Sequence, residues 1–510
     1  MISSKRVWLV GAAFVLLLYA NCHPGSSAGR YRAVVPYTES LEPVEELPAA
    51  PVRTEKVAID PATLVMRSSS RLGFGASSET VPAGTQLMAV IDNECLTRRL
   101  DASRLSEKIA REAELVPRMR EQAYSFVPNV DQPLSELVRA ANADDCVRAI
   151  TNDPVQKIID MPSAPVTETM PASSPKHNIV ANDAGFAQQE HLAAIKAELG
   201  WDVFFHKTRG INKDVIIAIV DSGVDYRHPD LAANMWKDSQ GRYGRDFVNS
   251  DDDPQDDYGH GTHVAGLAAA VMNNNLGGTG VMGKNVKIMA VKCSNDKGEG
   301  RLADVVNAVR YAADNGANVI NMSLGFEQDT PELMTAIEYA ISKGAVVVAA
   351  TGNSGKELSL AFIVTPAMYA AQTEGMLAVT AIDTVNGARS SYANYSGTLA
   401  MIAAPGSRDS SKQDGLTSTM RDAKYGRLEG TSMAAPIVSG AAALVFAMAK
   451  SQGANLTPAQ VTGMIRISAK RDPNLASSVQ LGATLDLDRL SRVLKWRYLL
   501  GDDGGIDQAF

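Results

Sequence analysis

The chain has 510 residues, of which 45% are hydrophobic, 21% are charged and 6% are aromatic. Its net charge of −8 excludes a typical nucleic-acid-binding protein, because no basic excess is present to neutralise phosphates. The hydrophobic fraction excludes a wholly disordered chain, and four cysteines are too few for a disulfide-stapled scaffold. The totals are typical of a soluble globular enzyme, with about three domains at roughly 150 residues each.

The pattern of residues 1–28 predicts an export signal, because two basic residues precede an apolar run over residues 7–20. That run is shorter than the roughly 20 residues of a membrane-spanning helix. Two cleavage sites remain open. A lipoprotein signal would end at Cys22 and leave a lipid anchor, although Tyr19 and Asn21 depart from the usual motif. Ordinary cleavage would follow Ala28, and an uncleaved anchor is a third alternative.

No later segment looks long and apolar enough to span a membrane, so we expect an exported protein, either secreted or lipid-anchored in the cell envelope. Residues 29–84 are rich in Pro, Ser, Thr and Glu and predict a low-order tether. Residues 85–160 predict a smaller N-terminal α+β domain. Cys95 and Cys146 in this domain either form a disulfide or are separate buried thiols. The predicted elements are one strand and two amphipathic helices, at residues 85–91, 102–122 and 133–150.

A Pro- and Ser-rich linker over residues 161–181 marks a natural boundary. From residue 182 to 495, short apolar runs alternate with helical patterns, and residues 496–510 form a tail. This alternation predicts an α/β fold, a three-layer α/β/α domain with a mostly parallel sheet and its ligand site at the carboxyl ends of the strands. The predicted strands are 215–220, 286–293, 318–322, 345–350, 377–382 and 400–404, and the predicted helices cover 302–309, 332–342 and 432–449.

Three motifs supply an acid, an imidazole and a hydroxyl. A Ser hydroxyl becomes an effective nucleophile when a His accepts its proton, and that His needs a carboxylate to fix its tautomer. Each motif alone has a plain structural explanation, as a helix cap or a turn. Together they predict nucleophilic catalysis by Asp221, His260 and Ser432. The motifs are Asp221-Ser222-Gly223, Gly259-His260-Gly261-Thr262-His263 and Gly430-Thr431-Ser432-Met433-Ala434.

With these motifs in this order, residues 182–490 resemble the subtilisin family of serine proteases. The resemblance implies a subtilisin-like fold and an endopeptidase that cleaves protein or peptide substrates through an acyl-enzyme, with no cofactor for catalysis. It also implies that Asn353 donates its side-chain amide to the oxyanion. Ser323, Leu324 and Gly325 would bind extended substrate as an added strand. The apolar lining favours hydrophobic or broad specificity, and the intact motifs argue against a catalytically silent binding protein.

The resemblance further implies a structural Ca²⁺ site. Its ligands would be side-chain oxygens of Asp183, Asp230 and Asn274 and the backbone carbonyls of Leu276 and Gly278, an oxygen donor set that suits calcium. One residue is inserted before this loop relative to the family pattern. A separate group of carboxylates either binds a second ion or forms a solvated acidic loop: Asp251, Asp252, Asp253, Asp256 and Asp257.

The region before the catalytic domain fits a prosegment that inhibits the enzyme within the same chain until it is cut. The alternative is a retained accessory domain. A mature N-terminus near residues 178–185 is expected of a prosegment, and a start at Cys22 or Gly29 of an accessory domain. His263 lacks the spacing of a metal-binding H-E-x-x-H pair and is expected to be structural. Cys293 is expected to be a buried thiol, and the mature protein a monomer.

Overall fold

The computed structural model describes residues 80–81, 86–92, 121–126, 132–133, 147–158, 181–206 and 212–499. The export signal, most of the tether, Cys95 and Cys146, and most of the linker lie outside these residues; the described end of the tether, Thr80–Val81, is a strand and not low-order chain. In the N-terminal region, a short pair and a three-stranded antiparallel sheet with β2 at its centre are present. The strands are β1 (Thr80–Val81), β2 (Leu87–Asp92), β3 (Glu121–Phe126), β4 (Gln132–Pro133), β5 (Val147–Asn152) and β6 (Val155–Lys157).

The predicted strand at residues 85–91 corresponds to β2, which is buried along its whole length. The helix predicted over 133–150 is wrong at its carboxyl end, because residues 147–150 belong to β5. Exposed Arg148 lies there between two partly buried apolar residues, which is the period-two pattern of a strand. The helix predicted over 102–122 is wrong at its last two residues, which belong to β3. Residues 102–120 and 134–146 lie outside the described part of the chain.

A nine-stranded sheet forms the centre of the second region. Its order is β17-β18-β14-β13-β12-β11-β7-β9-β8, and all neighbours pair in parallel except β17 with β18. The second region also contains β10, which pairs with β6, and the pair β15 and β16. Its twelve strands are β7 (Val215–Asp221), β8 (Gly244–Asp246), β9 (Val286–Lys292), β10 (Glu299–Arg301), β11 (Val319–Met322), β12 (Val346–Ala350), β13 (Met376–Asp383), β14 (Ile402–Ser407), β15 (Leu416–Met420), β16 (Lys424–Leu428), β17 (Lys470–Arg471) and β18 (Ala483–Thr484).

Helices cover both faces of this sheet, which confirms the predicted α/β class. Packing joins α3 to α6 in one layer and α4 to α5 in the other. The helices are α1 (Glu190–Ala194), α2 (Ala197–Trp201), α3 (His260–Ala269), α4 (Leu302–Asp314), α5 (Pro331–Ser342), α6 (Thr431–Ser451), α7 (Pro458–Ser468) and α8 (Leu487–Leu499), with a π-helical turn at Asp202–His206. Short 3₁₀ turns lie at Phe186–Gln188, Ala232–Asn234, Ala367–Ala371, Ser410–Lys412, Pro473–Leu475 and Gln480–Gly482.

The central strands read as unbroken apolar runs because both of their faces are covered. The residues Val-Ile-Ile-Ala-Ile-Val-Asp of β7 are buried almost throughout. The predicted strand at 400–404 is shifted, since β14 begins at Ile402 and continues to Ser407. Sequence analysis missed the antiparallel hairpin of β15 and β16, which packs against α3.

The helix α6 is long and apolar enough to cross a membrane by length and composition, so the expectation that no later segment meets this criterion is wrong. The helix nevertheless lies inside the protein, where its apolar segment is completely buried against β11, β12, β13 and β14. Its small residues allow close packing on the sheet. We therefore interpret α6 as a core helix.

His191 of α1 is a buried histidine whose two ring nitrogens have no hydrogen-bond partner within the described residues. Burial lowers its pKa to about 3. The unfolded chain therefore takes up this proton near pH 6.5, well before the folded protein does. As a result, the free energy of unfolding falls as the pH drops from 6.5 towards 3.

We expect His191→Leu to reduce the loss of stability between pH 7 and pH 5 by about 2 kcal/mol, because it removes the proton that only the unfolded chain binds. The measurement is urea unfolding at both pH values. Ala193→His is the control: it places a histidine on the exposed side of α1, where its pKa differs little between the two states. An unchanged pH dependence in His191→Leu would contradict the assignment.

Candidate active site

The predicted acid and imidazole lie together in the interior. Asp221 is the last residue of β7 and His260 the first residue of α3, and both side chains are buried. Nδ1 of His260 lies 2.8 Å from Oδ1 and 3.0 Å from Oδ2 of Asp221. A carboxylate only accepts, so Nδ1 carries the donated proton and Nε2 is left as a base. Nε2 has no hydrogen-bond partner in the described part of the chain.

The start of α3 is held against β7 by a buried carboxylate. Asp256 accepts hydrogen bonds from Ser222 Oγ at 2.9 Å, from the Gly259 amide at 2.7 Å and from the Thr262 amide at 2.9 Å. A Cβ at Gly261 would come within 2.0 Å of the Gly223 carbonyl oxygen, so glycine is required for this close approach. These contacts fix the position of His260 relative to Asp221.

Ser432, the second residue of α6, lies beside the segment that follows β11. Its Oγ donates to the Ser323 carbonyl at 3.3 Å, and Ser323 Oγ donates to the Ser432 carbonyl at 2.8 Å. The Ser323 hydroxyl also accepts from Asn321 Nδ2 at 3.0 Å. Ser439 of α6 donates to Asn321 Oδ1 at 2.8 Å. These hydrogen bonds join α6 to β11 and to the segment that follows it, around the Ser432 hydroxyl.

Asn353 follows β12 at the same edge of the sheet, and its orientation is set by Thr431. The Thr431 amide and hydroxyl both donate to Asn353 Oδ1, each at 2.9 Å. Nδ2 of Asn353 then faces Gly430, where a Cβ would lie 3.0 Å from that nitrogen. Sequence analysis did not assign Thr431 a function, although its place directly before Ser432 was a usable signal.

The predicted substrate-binding residues Ser323, Leu324 and Gly325 follow β11 directly. Leu324 is completely buried, so this segment offers a substrate its backbone more than the Leu324 side chain. A Cβ at Gly325 would lie 3.0 Å from Val364 Cγ1. The arrangement agrees with recognition of a peptide by main-chain hydrogen bonds.

A buried lysine, which sequence analysis missed, lies next to the Asp221 motif. Lys292 Nζ donates to the Ser222 carbonyl at 2.9 Å, to the Ser294 carbonyl at 2.7 Å and to Asp257 Oδ1 at 2.6 Å. The signal was a charged residue at the end of an otherwise apolar strand. Cys293, the next residue, is buried as expected, and burial raises the pKa of its thiol.

His263 is structural in this arrangement. It is buried, and its Nε2 lies 2.9 Å from the Leu416 carbonyl of β15. Burial lowers its pKa to about 3. The ring therefore joins α3 to the β15–β16 hairpin as a neutral group.

The predicted calcium ligands converge in one loop cluster. Asp183 Oδ1 accepts from the Asn274 amide at 3.0 Å. Asp230 accepts from Asn274 Nδ2 at 2.7 Å and from the Gly278 amide at 3.0 Å. The Leu276 amide donates to Asn274 Oδ1 at 2.9 Å.

The chemistry of this cluster fits a hard divalent cation. Asp183 and Asp230 are both buried. Burial raises the pKa of Asp230 to about 7, and the nearby Asp183 charge raises it further in the same direction. Two buried carboxylates that repel each other beside the Asn274 side chain form an oxygen donor set that Ca²⁺ would stabilise, and Leu276 and Gly278 contact this set through their backbone amides.

The acidic loop is neither uncompensated nor uniformly solvated. Asp252 accepts from Arg245 at 2.8 Å and from Arg242 at 3.1 Å. Asp257 pairs with Lys292, and Asp256 is buried at the start of α3. The expectation of a purely solvated loop is therefore wrong at Asp256, which has a structural role there.

An acid at the end of a parallel strand, with an imidazole and a hydroxyl at the starts of α3 and α6, is typical of a serine hydrolase. Asp221 and His260 are hydrogen-bonded to each other, whereas Ser432 Oγ donates to the Ser323 carbonyl and His260 Nε2 has no hydrogen-bond partner among the described residues. The sequence model of the subtilase family matches residues 212–483, slightly more than half of the chain. The chain therefore belongs to the subtilase family, and it is a serine endopeptidase.

Known relatives support this assignment. The chain is 37% identical to the thermophilic serine proteinase of Bacillus sp. (strain AK1) over 339 residues, which cover 66% of this chain and 74% of the relative. It is 39% identical to thermitase of Thermoactinomyces vulgaris over 271 residues, 53% of this chain and 86% of thermitase. It is 36% identical to halolysin of Haloferax mediterranei over 311 residues, 60% of this chain and 53% of halolysin.

Proposed function

We propose that the protein is an exported endopeptidase in which Ser432 attacks the substrate carbonyl, His260 transfers the proton and Asp221 orients His260. The observation that carries this proposal is the buried hydrogen bond between His260 Nδ1 and Asp221, which leaves Nε2 as the base. Ser432 lies at the N-terminus of α6, where the helix dipole favours negative charge.

The reaction is acyl transfer in two halves. Nε2 of His260 takes the Ser432 proton while Oγ bonds to the carbonyl carbon, and the resulting imidazolium is stabilised by Asp221. Asn353 Nδ2 and the Ser432 amide donate hydrogen bonds to the oxyanion. His260 then gives the proton to the departing amine, which breaks the peptide bond and leaves an acyl-enzyme. Water, activated by the same His260, hydrolyses the ester. Loss of one oxyanion donor typically costs about 10²–10³ in kcat.

We expect Ser432→Ala to abolish casein hydrolysis while leaving the protein folded, because it removes the nucleophile and one long hydrogen bond, the 3.3 Å contact with the Ser323 carbonyl. The measurements are casein hydrolysis and circular dichroism. Phenylmethylsulfonyl fluoride should abolish the activity of the wild-type protein. Ser451→Ala, at the other end of α6, is the matched control and should remain active. Full activity in Ser432→Ala would refute the mechanism.

We also propose that the N-terminal region is a prosegment that occupies the cleft. The strand β6 supports this, because it pairs antiparallel with β10, whose strand partner in the described residues is β6 alone, and the Ile158 amide donates to the Gly298 carbonyl at 2.6 Å. Main-chain pairing of this kind is how an extended peptide binds a sheet edge. A bound strand at this edge would compete with substrate.

The start of α4 provides a second point of attachment. Asp153 Oδ1 accepts from the Ala303 amide at 2.9 Å, so a carboxylate from the N-terminal region satisfies the first turn of the helix. Asn307 exchanges two hydrogen bonds with the backbone of Ala123, at 2.7 and 2.8 Å. Arg310 forms a buried ion pair with Glu121 at 2.7 Å. These contacts support docking of the region on the catalytic domain.

If the region is a prosegment, N-terminal sequencing of the secreted protein should find a start between residue 159 and residue 185. The register of β6 favours a first cut soon after Ile158, and the Pro-rich linker permits trimming to 178–185. Ser432→Ala should retain the region because it cannot cleave itself. A fully active wild-type enzyme that begins at Cys22 or Gly29 would instead support a retained accessory domain.

Subtilases generally bind structural calcium. We propose that Asp183, Asp230, Asn274, Leu276 and Gly278 hold one Ca²⁺ in this chain. The ion would neutralise the two buried carboxylates and fix the loop after α3, with no part in the reaction.

Removal of calcium with EDTA should lower the Tm of the Ser432→Ala protein, a background that prevents self-digestion. A bound ligand at 100 times its Kd contributes about 2.7 kcal/mol to stability, and chelation removes that contribution. Asp230→Asn should largely abolish the EDTA-dependent shift, whereas the exposed control Asp296→Asn should keep it. An equal EDTA-dependent shift in Tm in the Ser432→Ala protein with and without Asp230→Asn would place the ion elsewhere.

Export of the chain rests on the first 28 residues, which lie outside the described part. A basic start followed by a short apolar run favours export, and Cys22 lipidation and cleavage after Ala28 remain the two alternatives for maturation. We propose protein and peptide substrates outside the cytoplasm for either form, with the mature enzyme acting as a monomer.

A further inference from the structure

The strand β6 runs towards the catalytic residues. Its first residues lie at the start of α4, where the Pro154 carbonyl accepts from the Leu302 amide at 2.9 Å. Its last contact is with Gly298, where a Cβ would come within 2.9 Å of the Tyr258 ring. Tyr258 lies two residues before His260. A substrate peptide bound in the same register would therefore have the residues that correspond to β6 on the N-terminal side of its scissile bond.

Alternate side chains of this segment face the enzyme. Gln156 and Ile158 are 2% and 3% exposed, whereas Val155 between Pro154 and Gln156 is 55% exposed. This alternation is the geometry of a strand that lies against a surface. The enzyme surface therefore contacts two side chains that are two residues apart in the bound segment, those of Gln156 and Ile158.

The surface that contacts the Gln156 side chain is polar. Gln156 Nε2 donates to Ser294 Oγ at 2.8 Å, and both residues are buried. A Cβ at Gly300 would lie 3.0 Å from Gln156 Nε2 and 3.0 Å from Ser294 Oγ, so the missing side chain provides the room for this contact. The Ser294 amide donates to the Asp221 carbonyl at 3.3 Å. The pocket is thus built on the strand ends that hold the catalytic acid.

We propose that Ser294 is a specificity-determining residue, which selects substrates with a neutral amide side chain such as Gln two residues before a buried branched aliphatic residue, upstream of the scissile bond. This inference rests on the proposed endopeptidase function and deepens it by naming the substrate class. The side chain of Gln156 occupies this position with its Nε2 bonded to Ser294, while its Oε1 has no hydrogen-bond partner among the described residues.

The selection follows from the loss of a buried hydrogen bond. When an apolar side chain enters this position, Ser294 Oγ loses the bond from the amide and retains its contact with the neighbouring Cys293 thiol, a weak hydrogen-bond partner. A neutral hydrogen bond contributes about tenfold to an equilibrium or to kcat/KM. Methionine has nearly the shape of glutamine and lacks its donors, so it isolates this contribution.

The test compares two internally quenched peptides with the sequence of residues 151–164, one native and one with Gln156→Met. The enzyme is obtained by expressing the full chain and allowing it to mature. Wild type should show a kcat/KM about tenfold higher for the native peptide. Ser294→Ala should reduce this ratio to below about twofold, and Ser294→Thr, which keeps the hydroxyl, should retain it. Ser342→Ala, on the exposed end of α5, is the control and should keep the wild-type ratio.

Casein hydrolysis by the same preparations separates the two levels of the account. A wild-type ratio near one, with casein hydrolysed, would overturn the specificity and leave the endopeptidase function intact. A tenfold ratio that persists in folded Ser294→Ala would overturn the assignment to Ser294. Wild-type enzyme that hydrolyses neither casein nor peptide would overturn the proposed function and the specificity with it. If Ser294→Ala does not fold, Ser294→Cys takes its place.

Discussion

The buried hydrogen bond between His260 Nδ1 and Asp221 is the constraint on which the rest of the site depends. A carboxylate at the end of a buried strand is costly unless it is hydrogen-bonded. Asp221 accepts a hydrogen bond from the imidazole and another from the Ser222 amide, which donates to Oδ1 at 2.7 Å. The bond forms only if α3 begins beside the end of β7. Asp256 and the close approach of Gly261 to Gly223 establish that position.

The parallel sheet brings the other groups to the same edge. Met322, the last residue of β11, pairs with Val220 of β7 and with Ala349 of β12, so both strands end within one residue of the level of Asp221, and Ser323 and Asn353 follow where the chain leaves the sheet. The helix α6 then brings Ser432 to them because its buried small residues let it lie close to the sheet. Thr431 and Ser323 lock the approach with side-chain hydrogen bonds. Packing and catalysis therefore draw on the same contacts.

The order of strands and helices was predictable because each central strand is apolar on both faces and each helix keeps its own period. The motifs of Asp221, His260 and Ser432 were recognisable in the sequence, and the structure places Asp221 at the end of β7 and His260 and Ser432 at the starts of α3 and α6. Lys292 and Thr431 each had a local signal in the sequence, but their partners Asp257 and Asn353 are distant in sequence, so the fold was needed to show what they contact. The end of the helix predicted over 133–150 failed because the pairing of β5 with β2 overrides a local helical pattern. The polar pocket at Ser294 required the strand register, which only the fold provides.

The most direct test of the account is to map the nucleophile in the mature enzyme with a fluorophosphonate probe, which reacts with activated serine hydroxyls, followed by digestion and mass spectrometry. The account predicts one label per molecule, on the peptide that contains Ser432, and loss of hydrolysis in step with labelling. Labelling of another residue, or undiminished hydrolysis after complete labelling of Ser432, would contradict it.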